Sequence, residues 1–237
     1  MAAADQPVDR AAVFSALRAR IARMERGAAA DAGTLSLCDE IDATLPGGGL
    51  ARGALHEVLA ADPGAAAAFC ALILARATRS VVWISATPDA WPPGLSTFGL
   101  DPADLVMVRA ERPSDGLWAF EEALRSPAVT GAVLAARGTP PGMAAGRRLQ
   151  LAAEAGGGVG LLLLADTEQT PPSAARSRWR VRAAATTDRL HPAWDVTLLR
   201  CTGGRAGAWR VSWHPDRATL ALAAHGPAAP GTMAAAR

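Results

Sequence analysis

The order of apolar and polar stretches predicts strands that alternate with helices through the middle of the chain. Segments of strand length, most of them continuous apolar runs, lie at 54–59, 80–86, 105–110, 128–136 and 159–165. Helical segments are predicted between them at 64–78, 115–126 and 142–155. Continuous apolar runs are typical of strands buried on both faces of a parallel sheet. We therefore predict an α/β fold in which helices flank a mostly parallel sheet.

The pattern changes after Asp166. A polar, proline-containing loop covers 167–175, and the segments 177–183, 194–201 and 208–214 then alternate apolar and polar residues with period two. Glycines at 203, 204 and 207 supply turn residues between the last two segments. This part of the chain is predicted to extend the sheet with antiparallel strands, beginning at about residue 173.

The N-terminal segment is predicted to be an amphipathic helix over 8–26. Phe14, Leu17, Ile21 and Met24 fall on one helical face and form a candidate docking stripe for another subunit or protein. Packing against the chain's own domain is the alternative. Small residues at 27–33 form a linker, so we predict a helix and linker at 1–33, one domain at 34–225 and a disordered tail at 226–237.

Composition indicates a soluble, cytoplasmic protein with a full core, since 50% of its residues are hydrophobic and 19% are charged. The longest apolar run, 65–75, is about half the length that a membrane span needs. Cys38, Cys70 and Cys201 lack disulfide or metal-ligand spacing, so they are predicted to be buried small hydrophobes and no metal site is expected. His191 and His214, each followed by proline, are predicted to lie in turns at strand ends.

The chain contains 24 arginines but no lysine and no tyrosine. A Schiff-base lysine, a P-loop lysine and a tyrosine acid or base are therefore all excluded. His56 and Glu57 are neighbours on a predicted strand and face opposite sides of it. No catalytic set is predicted from these residues.

A glycine-rich loop, a strand, a turn and a helix follow one another at 41–78, as in proteins whose backbone amides bind phosphate at a helix N-terminus. The turn reads AADPGAAAA over 60–68, where a working phosphate loop would carry lysine and a hydroxyl residue. Asp62 beside Gly64 would repel an anion. This loop is interpreted as a degenerate nucleotide site, and no cofactor is expected.

Several segments resemble a known family. Three segments resemble the RecA recombinase core: LPGGGLARGALHEV (45–58), VVWISA (81–86) and the segment 99–126. Three others resemble the ImuA family more closely: RRLQLAAE (147–154), SRWRV (177–181) and LLRCTGGRAGAWRVSW (198–213). Members of that family are RecA-like accessory proteins encoded with ImuB and an error-prone polymerase in damage-induced mutagenesis cassettes.

The resemblance also implies that recombinase chemistry is lost. The Walker A lysine and threonine would fall within 65–68, the water-activating glutamate near Thr87 and the Walker B aspartate near Ala136. Since charge stabilisation and water activation each lower the barrier to hydrolysis, no enzyme activity is expected without them.

The C-terminal third is basic, with nine arginines against three acids over 173–217. Arginine and tryptophan together suit single-stranded nucleic acid or an arginine-anchored protein interface. The candidate interaction residues are Arg176, Arg178, Arg180, Arg182, Arg200, Arg205 and Arg210. Strand alternation places Arg178, Arg180 and Arg182 on one face and Trp179 in the core. This arginine-bearing face could bind a partner or could simply be solvated, and the sequence does not decide between the two. Trp118 is predicted to be a core residue.

These observations lead to a hypothesis of function: a non-catalytic RecA-like adaptor in SOS-induced translesion synthesis. The resemblance implies ImuB and RecA on single-stranded DNA as partners, and the polymerase as a further one. Direct contact with DNA stays open. The alternatives are a cell-division inhibitor of the SulA type and a divergent RecA-like ATPase.

Overall fold

The computed structural model describes residues 33–77, 80–87, 90–136, 138–167 and 171–223. The strands are β1 (Thr34–Leu35), β2 (Leu50–Ala51), β3 (Ala54–Ala60), β4 (Val81–Ser85), β5 (Leu105–Arg109), β6 (Gly131–Ala135), β7 (Val159–Ala165), β8 (Ser177–Ala184), β9 (Ala193–Cys201), β10 (Gly207–His214) and β11 (Thr219–Leu222). The helices are α1 (Asp39–Asp42), α2 (Pro63–Ala77), α3 (Pro92–Ser96), α4 (Pro113–Arg125) and α5 (Met143–Gly156). A 3-10 turn covers Pro102–Asp104.

One nine-stranded sheet organises the chain, in the order β11-β10-β9-β8-β3-β7-β6-β4-β5. The strands from β8 through β3 to β5 run parallel, and β9, β10 and β11 continue the sheet in antiparallel pairing. A separate antiparallel pair joins β1 to β2. The predicted α/β fold with an antiparallel C-terminal extension is confirmed.

Helices cover the two faces of the sheet in different ways. On one face α2 is buried along most of its length, and its Phe69 packs at 5.9 Å against the ring of Trp179 on β8. Trp179, Trp83 and Trp213 lie fully inside this layer. On the other face α4 and α5 pack over the parallel strands, with Phe120 and Leu149 buried against the sheet. Both layers follow from strands that are apolar on two sides.

Among the described residues, the α2 layer covers one face of the antiparallel extension, and most of the opposite face is solvated. Trp179 and Val181 of β8 point into the α2 layer and are completely buried, whereas Arg180 and Arg182 point to the opposite face and are half-buried and exposed respectively. The predicted alternation on β8 is therefore confirmed. Antiparallel strands with one solvated face commonly show this pattern.

The structure corrects two predictions for α4. Trp118 is 65% exposed, so the prediction of a core tryptophan is wrong. The buried residues of α4 include Gly116 and Phe120, and Trp118 lies about 200° around the helix from both of them. The helix begins at Pro113 with Arg112 at its N-cap, two residues before the predicted start at residue 115.

The remaining predictions have mixed outcomes. All three cysteines are free, and Cys38 and Cys70 are buried, but Cys201 is only half-buried. The strand β11 and the short elements β1, β2, α1 and α3 were not predicted. Residues 1–32, including the stripe of Phe14, Leu17, Ile21 and Met24, lie outside the described residues, as does the predicted tail. No helix in the described segments is long and apolar enough to cross a membrane.

Candidate functional site

Open α/β sheets bind ligands at the carboxyl ends of their parallel strands. In this chain β3, β4, β5 and β6 are followed there by Ala61, Ala86, Ala110 and Ala136. The last three of these alanines line a cavity of about 160 Å³ together with residues of α4, residues of the segment after β6, and Glu111 and Arg112. These two charged side chains pair with Arg109 and Asp115 respectively. A methyl group cannot donate a hydrogen bond, hold a metal or move a proton, so these four positions supply no chemistry.

A carboxylate in the turn after β3 caps the N-terminus of α2. The Oδ1 atom of Asp62 accepts a hydrogen bond of 3.1 Å from the backbone N–H of Ala65. Pro63 contributes no N–H, and the amides of Ala61 and Asp62 donate to the carbonyl of Val181 on β8. The amides of Ala61, Asp62 and Ala65 are thus engaged with the protein itself, and the capping group is negative.

Asp166 is the residue that follows β7, and it carries the one acidic side chain directly after these central parallel strands. Its carboxylate pairs with Arg180 at 2.9 Å, and the Arg180 side chain is 36% exposed. Arg180, a candidate interaction residue, therefore already holds a partner within the chain.

His56 and Ser177 occupy paired positions of β3 and β8 and form a buried polar network. The Trp179 indole N–H donates to Ser177 Oγ at 2.7 Å, and Ser177 Oγ lies 2.6 Å from His56 Nδ1. His56 Nε2 lies 2.9 Å from the carbonyl oxygen of Ala51. A neutral His56 that donates from Nε2 satisfies every one of these contacts. Burial lowers the pKa of His56 to about 4, the Ala51 carbonyl opposes this shift, and the positive charge of Arg176 adds to it.

Glu57 and Arg178 form a second buried pair on the opposite face of the same two strands. Their Oε2 and Nε atoms lie 2.5 Å apart, and the side chains are 5% and 11% exposed. The hydroxyl of Ser173 donates to the other oxygen of Glu57, and Arg178 donates to the carbonyl of Pro171 at 2.8 Å. The segment around Pro171 and Ser173 folds over the pair.

Arg178 is therefore not available to a partner, and its prediction as a residue of an exposed interaction face is corrected. The alternation of β8 was right, but the segment 171–175 covers the amino end of that face. Arg200 supports this covering segment by donating to the carbonyl of Ala175. Arg176, just before β8, is half-buried.

The solvated part of the sheet, over β8 to β10, carries Arg180, Arg182, Asp195 and Arg210; we call it the arginine face. Arg210 donates two hydrogen bonds to Asp195, at 2.7 and 2.9 Å. Arg182 lies opposite Asp195 in the strand register and is exposed. The surface is basic overall, since Asp166 pairs with Arg180, Asp195 pairs with Arg210, and Arg182 adds a third positive charge.

Arg205 is exposed as well, but it lies in the turn between β9 and β10, at the amino end of β8. The two predicted arginine clusters therefore do not merge into one patch. Among the seven predicted arginines, Arg182 and Arg205 are the two exposed residues.

One polar cluster was missed by the sequence interpretation. His191, His214 and Asp216 bring ligand atoms within 4.8 Å of one another at the rim of the arginine face. The two histidines are 23 residues apart and neither belongs to a known metal motif. The sequence signal that could have revealed the cluster is the antiparallel pairing of 194–201 with 208–214. This pairing brings the start of the first segment, near His191, to the end of the second, at His214.

Comparison with known proteins identifies close relatives, although no family model matches. The chain is 36% identical over 238 aligned residues to Protein ImuA of Caulobacter vibrioides strain NA1000 / CB15N, in an alignment that covers 87% of this chain and 97% of the relative. Protein ImuA of Caulobacter vibrioides strain ATCC 19089 / CIP 103742 / CB 15 aligns with the same identity and coverage.

Proposed function

The chain belongs to the ImuA family, and on this premise we propose that it is a non-catalytic adaptor in a damage-inducible mutagenesis system. It binds ImuB through its exposed arginines and brings ImuB, with the error-prone polymerase, to the recombinase on damaged single-stranded DNA. The protein works by binding and positioning its partners in the cytoplasm.

The observation that carries the non-catalytic part of the proposal is the state of the turn after β3. Asp62 occupies the N-cap of α2, and the neighbouring amides of Ala61 and Asp62 bond to Val181. A nucleotide phosphate would have to displace a hydrogen-bonded carboxylate from the place where a lysine normally neutralises its charge. The chain has no lysine to take that role.

The carboxyl ends of the neighbouring strands support the same conclusion. Phosphoryl transfer needs a metal ligand and a residue that orients water, and these come from the strand ends in nucleotide-hydrolysing α/β proteins. Ala86 and Ala136 stand at two of those ends and can do neither. The cavity between them is lined mainly by apolar side chains, including Leu117 and Leu134.

The binding part of the proposal rests on Arg182 and Arg205. Both are exposed, and an exposed guanidinium offers several donors in a fixed plane to a carboxylate or phosphate. Arg178 and Arg200 are held by Glu57 and by backbone carbonyls, so they maintain the scaffold. The arginine face and the β9–β10 turn are therefore separate contact points, which suits a protein that joins partners.

Two alternatives are less well supported. A divergent ATPase would need a phosphate-binding amide cradle, and Asp62 and Pro63 work against one. A division inhibitor of the SulA type would not account for the similarity to Protein ImuA over 87% of the chain.

A pull-down with purified chain as bait tests the proposal against its alternatives. Retention of ImuB, with no retention of the tubulin-like division protein and no Mg²⁺-dependent ATP turnover above a buffer blank, is the expected result. Retention of the division protein without ImuB, or ATP turnover that Asp62→Ala alters, would overturn it.

A further inference from the structure

We propose that His191, His214 and Asp216 form a binding site for a divalent transition-metal ion of the zinc type. Each residue offers one ligand atom, and all three atoms lie within 4.8 Å of one another. Two imidazole nitrogens and a carboxylate oxygen are ligands that Zn²⁺ accepts, with a fourth position left for water.

The fold holds the three residues together through the β9–β10 pairing. His191 lies in the connection before β9, and His214 is the last residue of β10. Ser212 pairs with Ala193 in the register, and the amide of Trp213 donates to the carbonyl of Pro192 at 2.9 Å. These bonds place the two imidazole rings 4.4 Å apart, measured between centroids.

The β10–β11 turn then brings Asp216 to the same place. The amide of Arg217 donates to the carbonyl of His214 at 3.2 Å, and Ala218 closes the turn with a positive φ of 50°. As a result Asp216 Oδ1 lies 3.8 Å from His191 Nε2.

A second carboxylate orients His191 as in many zinc sites. Asp188 Oδ2 lies 2.6 Å from His191 Nδ1 and accepts a hydrogen bond from it. This bond places a proton on Nδ1 and leaves Nε2, which lies 3.8 Å from Asp216 Oδ1, as the nitrogen that would ligate the ion. A carboxylate behind a ligating histidine fixes its tautomer and raises its basicity in metal sites. His214 is oriented in turn by Ser212, whose Oγ lies 3.0 Å from His214 Nε2.

Closing around an ion requires small movements. Bonds of about 2.0–2.1 Å in a tetrahedron place ligand atoms roughly 3.3 Å apart. The Asp216 side chain is 60% exposed, so it can rotate inward. Arg217 Nε, at 3.4 Å from Asp216 Oδ2, is the cation that the metal would replace as a partner for this carboxylate.

A bound ion would tie together the β8–β9 connection, the end of β10 and the β10–β11 turn. It would also add positive charge beside the arginine face, because His214 shares the sheet face of Arg210 and Ser212. The site does not depend on the adaptor function, since its ligands are separate from Arg182 and Arg205.

Calorimetric titration of the full chain with Zn²⁺ after chelator treatment tests the site. We expect one-to-one binding at micromolar concentrations, an increase in Tm on loading, and visible absorption bands of a tetrahedral site when Co²⁺ replaces Zn²⁺. Asp216→Ala, an exposed substitution that leaves the fold intact, should abolish one-to-one binding. Asp188→Asn should weaken binding by about 10- to 100-fold, since it removes the orienting carboxylate.

His225→Ala provides the matched control, because His225 is the remaining histidine outside this site apart from the buried His56. Its substitution should leave the Zn²⁺ titration unchanged. No stoichiometric binding by the full chain, or equal binding by Asp216→Ala and the original protein, would overturn the proposal. Loss of binding in His225→Ala would overturn it too.

Discussion

Glu57 on β3 and Arg178 on β8 form a buried ion pair at directly paired positions of two parallel strands. The pair joins the central strand of the sheet to the strand where the antiparallel extension begins. Ser173 and Pro171 complete its hydrogen bonds from the loop that lies over it. Because both charges are satisfied, the arrangement can exist in an interior where an unpaired charge would be very unfavourable.

Removing one partner of this pair should destabilise the protein strongly. Glu57→Gln or Arg178→Met should lower the free energy of unfolding by about 3–5 kcal/mol, because each leaves an uncompensated buried charge. The double variant Glu57→Leu/Arg178→Met should recover most of that loss. Urea unfolding measures all three, and Arg182→Met, an exposed control, should stay within about 0.5 kcal/mol of the original protein. An Arg178→Met protein as stable as the control would contradict the buried pair.

The sequence predicted the β8 alternation correctly and still misjudged Arg178. Period two decides which face a residue is on, but it does not tell what covers that face. The cover over Arg178 comes from 171–175, whose path depends on long-range packing. The pairing of Glu57 with Arg178 depends on the order β8-β3 in the sheet, and these two residues are 121 positions apart. The cluster of His191, His214 and Asp216 was missed for the same reason, because strand pairing brings together residues that are distant in the sequence.

The strands β3, β4, β6 and β7 were predictable because their apolar runs are buried on both faces, whereas the apolar run of the edge strand β5 predicted a strand but is largely exposed, with Val106 53% exposed. The strand β7 has the predicted bounds Val159–Ala165, and β3 extends one residue beyond its prediction. Short elements such as β11 and α3 carry too few residues for a periodic signal. Trp118 was wrongly predicted to be buried because the prediction used the size and apolar character of its side chain. Its position around the helix, away from the buried face of α4, decides its exposure.

The stability of the protein should fall in mild acid through His56. Its pKa is about 4 in the folded protein against 6.5 when unfolded, so the unfolded chain binds a proton first as the pH falls. The stabilisation is present above pH 6.5 and is lost as the pH falls toward 4. Between pH 7 and pH 5 this amounts to about 2 kcal/mol. Unfolding by urea at both pH values measures it, and His56→Gln should show a shallower pH dependence. Equal slopes in both proteins would show that His56 does not titrate in this way.

The Asp62 cap on α2 should contribute to the stability of the protein. Its removal should not create a nucleotide-binding site. Asp62→Ala should cost about 1 kcal/mol, and Asp62→Asn should cost less because asparagine is an equally good N-cap. Neither variant should bind ATP, since the loop lacks a lysine whether or not the carboxylate is present. Thermal unfolding and equilibrium dialysis with ATP and Mg²⁺ check the two parts. Micromolar ATP binding by Asp62→Asn would mean that repulsion alone had closed a working site.

Deletion of 1–30 tests the predicted docking stripe of Phe14, Leu17, Ile21 and Met24. If the stripe binds another protein, the shortened chain should keep its Tm and lose recombinase or subunit binding in a pull-down. Leu17→Glu/Ile21→Glu in the full chain should reproduce the loss, with Arg23→Glu, on another side of the predicted helix, as a control on the same segment. A shortened chain with a lower Tm and unchanged partner binding would assign the stripe to the chain's own domain.

Salt dependence should tell which kind of partner the exposed arginines meet. Binding to single-stranded DNA would weaken steeply with salt because phosphate contacts release counterions. An interface with a protein would respond more gently. Titrating sodium chloride during fluorescence anisotropy with labelled single-stranded DNA, and during ImuB binding, measures both slopes. We expect ImuB binding to persist at salt concentrations that abolish DNA binding. An ImuB slope as steep as that of DNA would argue against an arginine-anchored protein interface.

The most direct test of the adaptor account is the affinity of immobilised ImuB for the Arg182→Glu/Arg205→Glu variant. Both arginines are exposed, so the variant should keep the original Tm. Arg147→Glu, an exposed arginine on α5, is the matched control for a change of charge elsewhere. The account predicts that the double variant binds ImuB about tenfold more weakly or worse, while Arg147→Glu binds as the original protein does. Unchanged affinity of the folded double variant would contradict it.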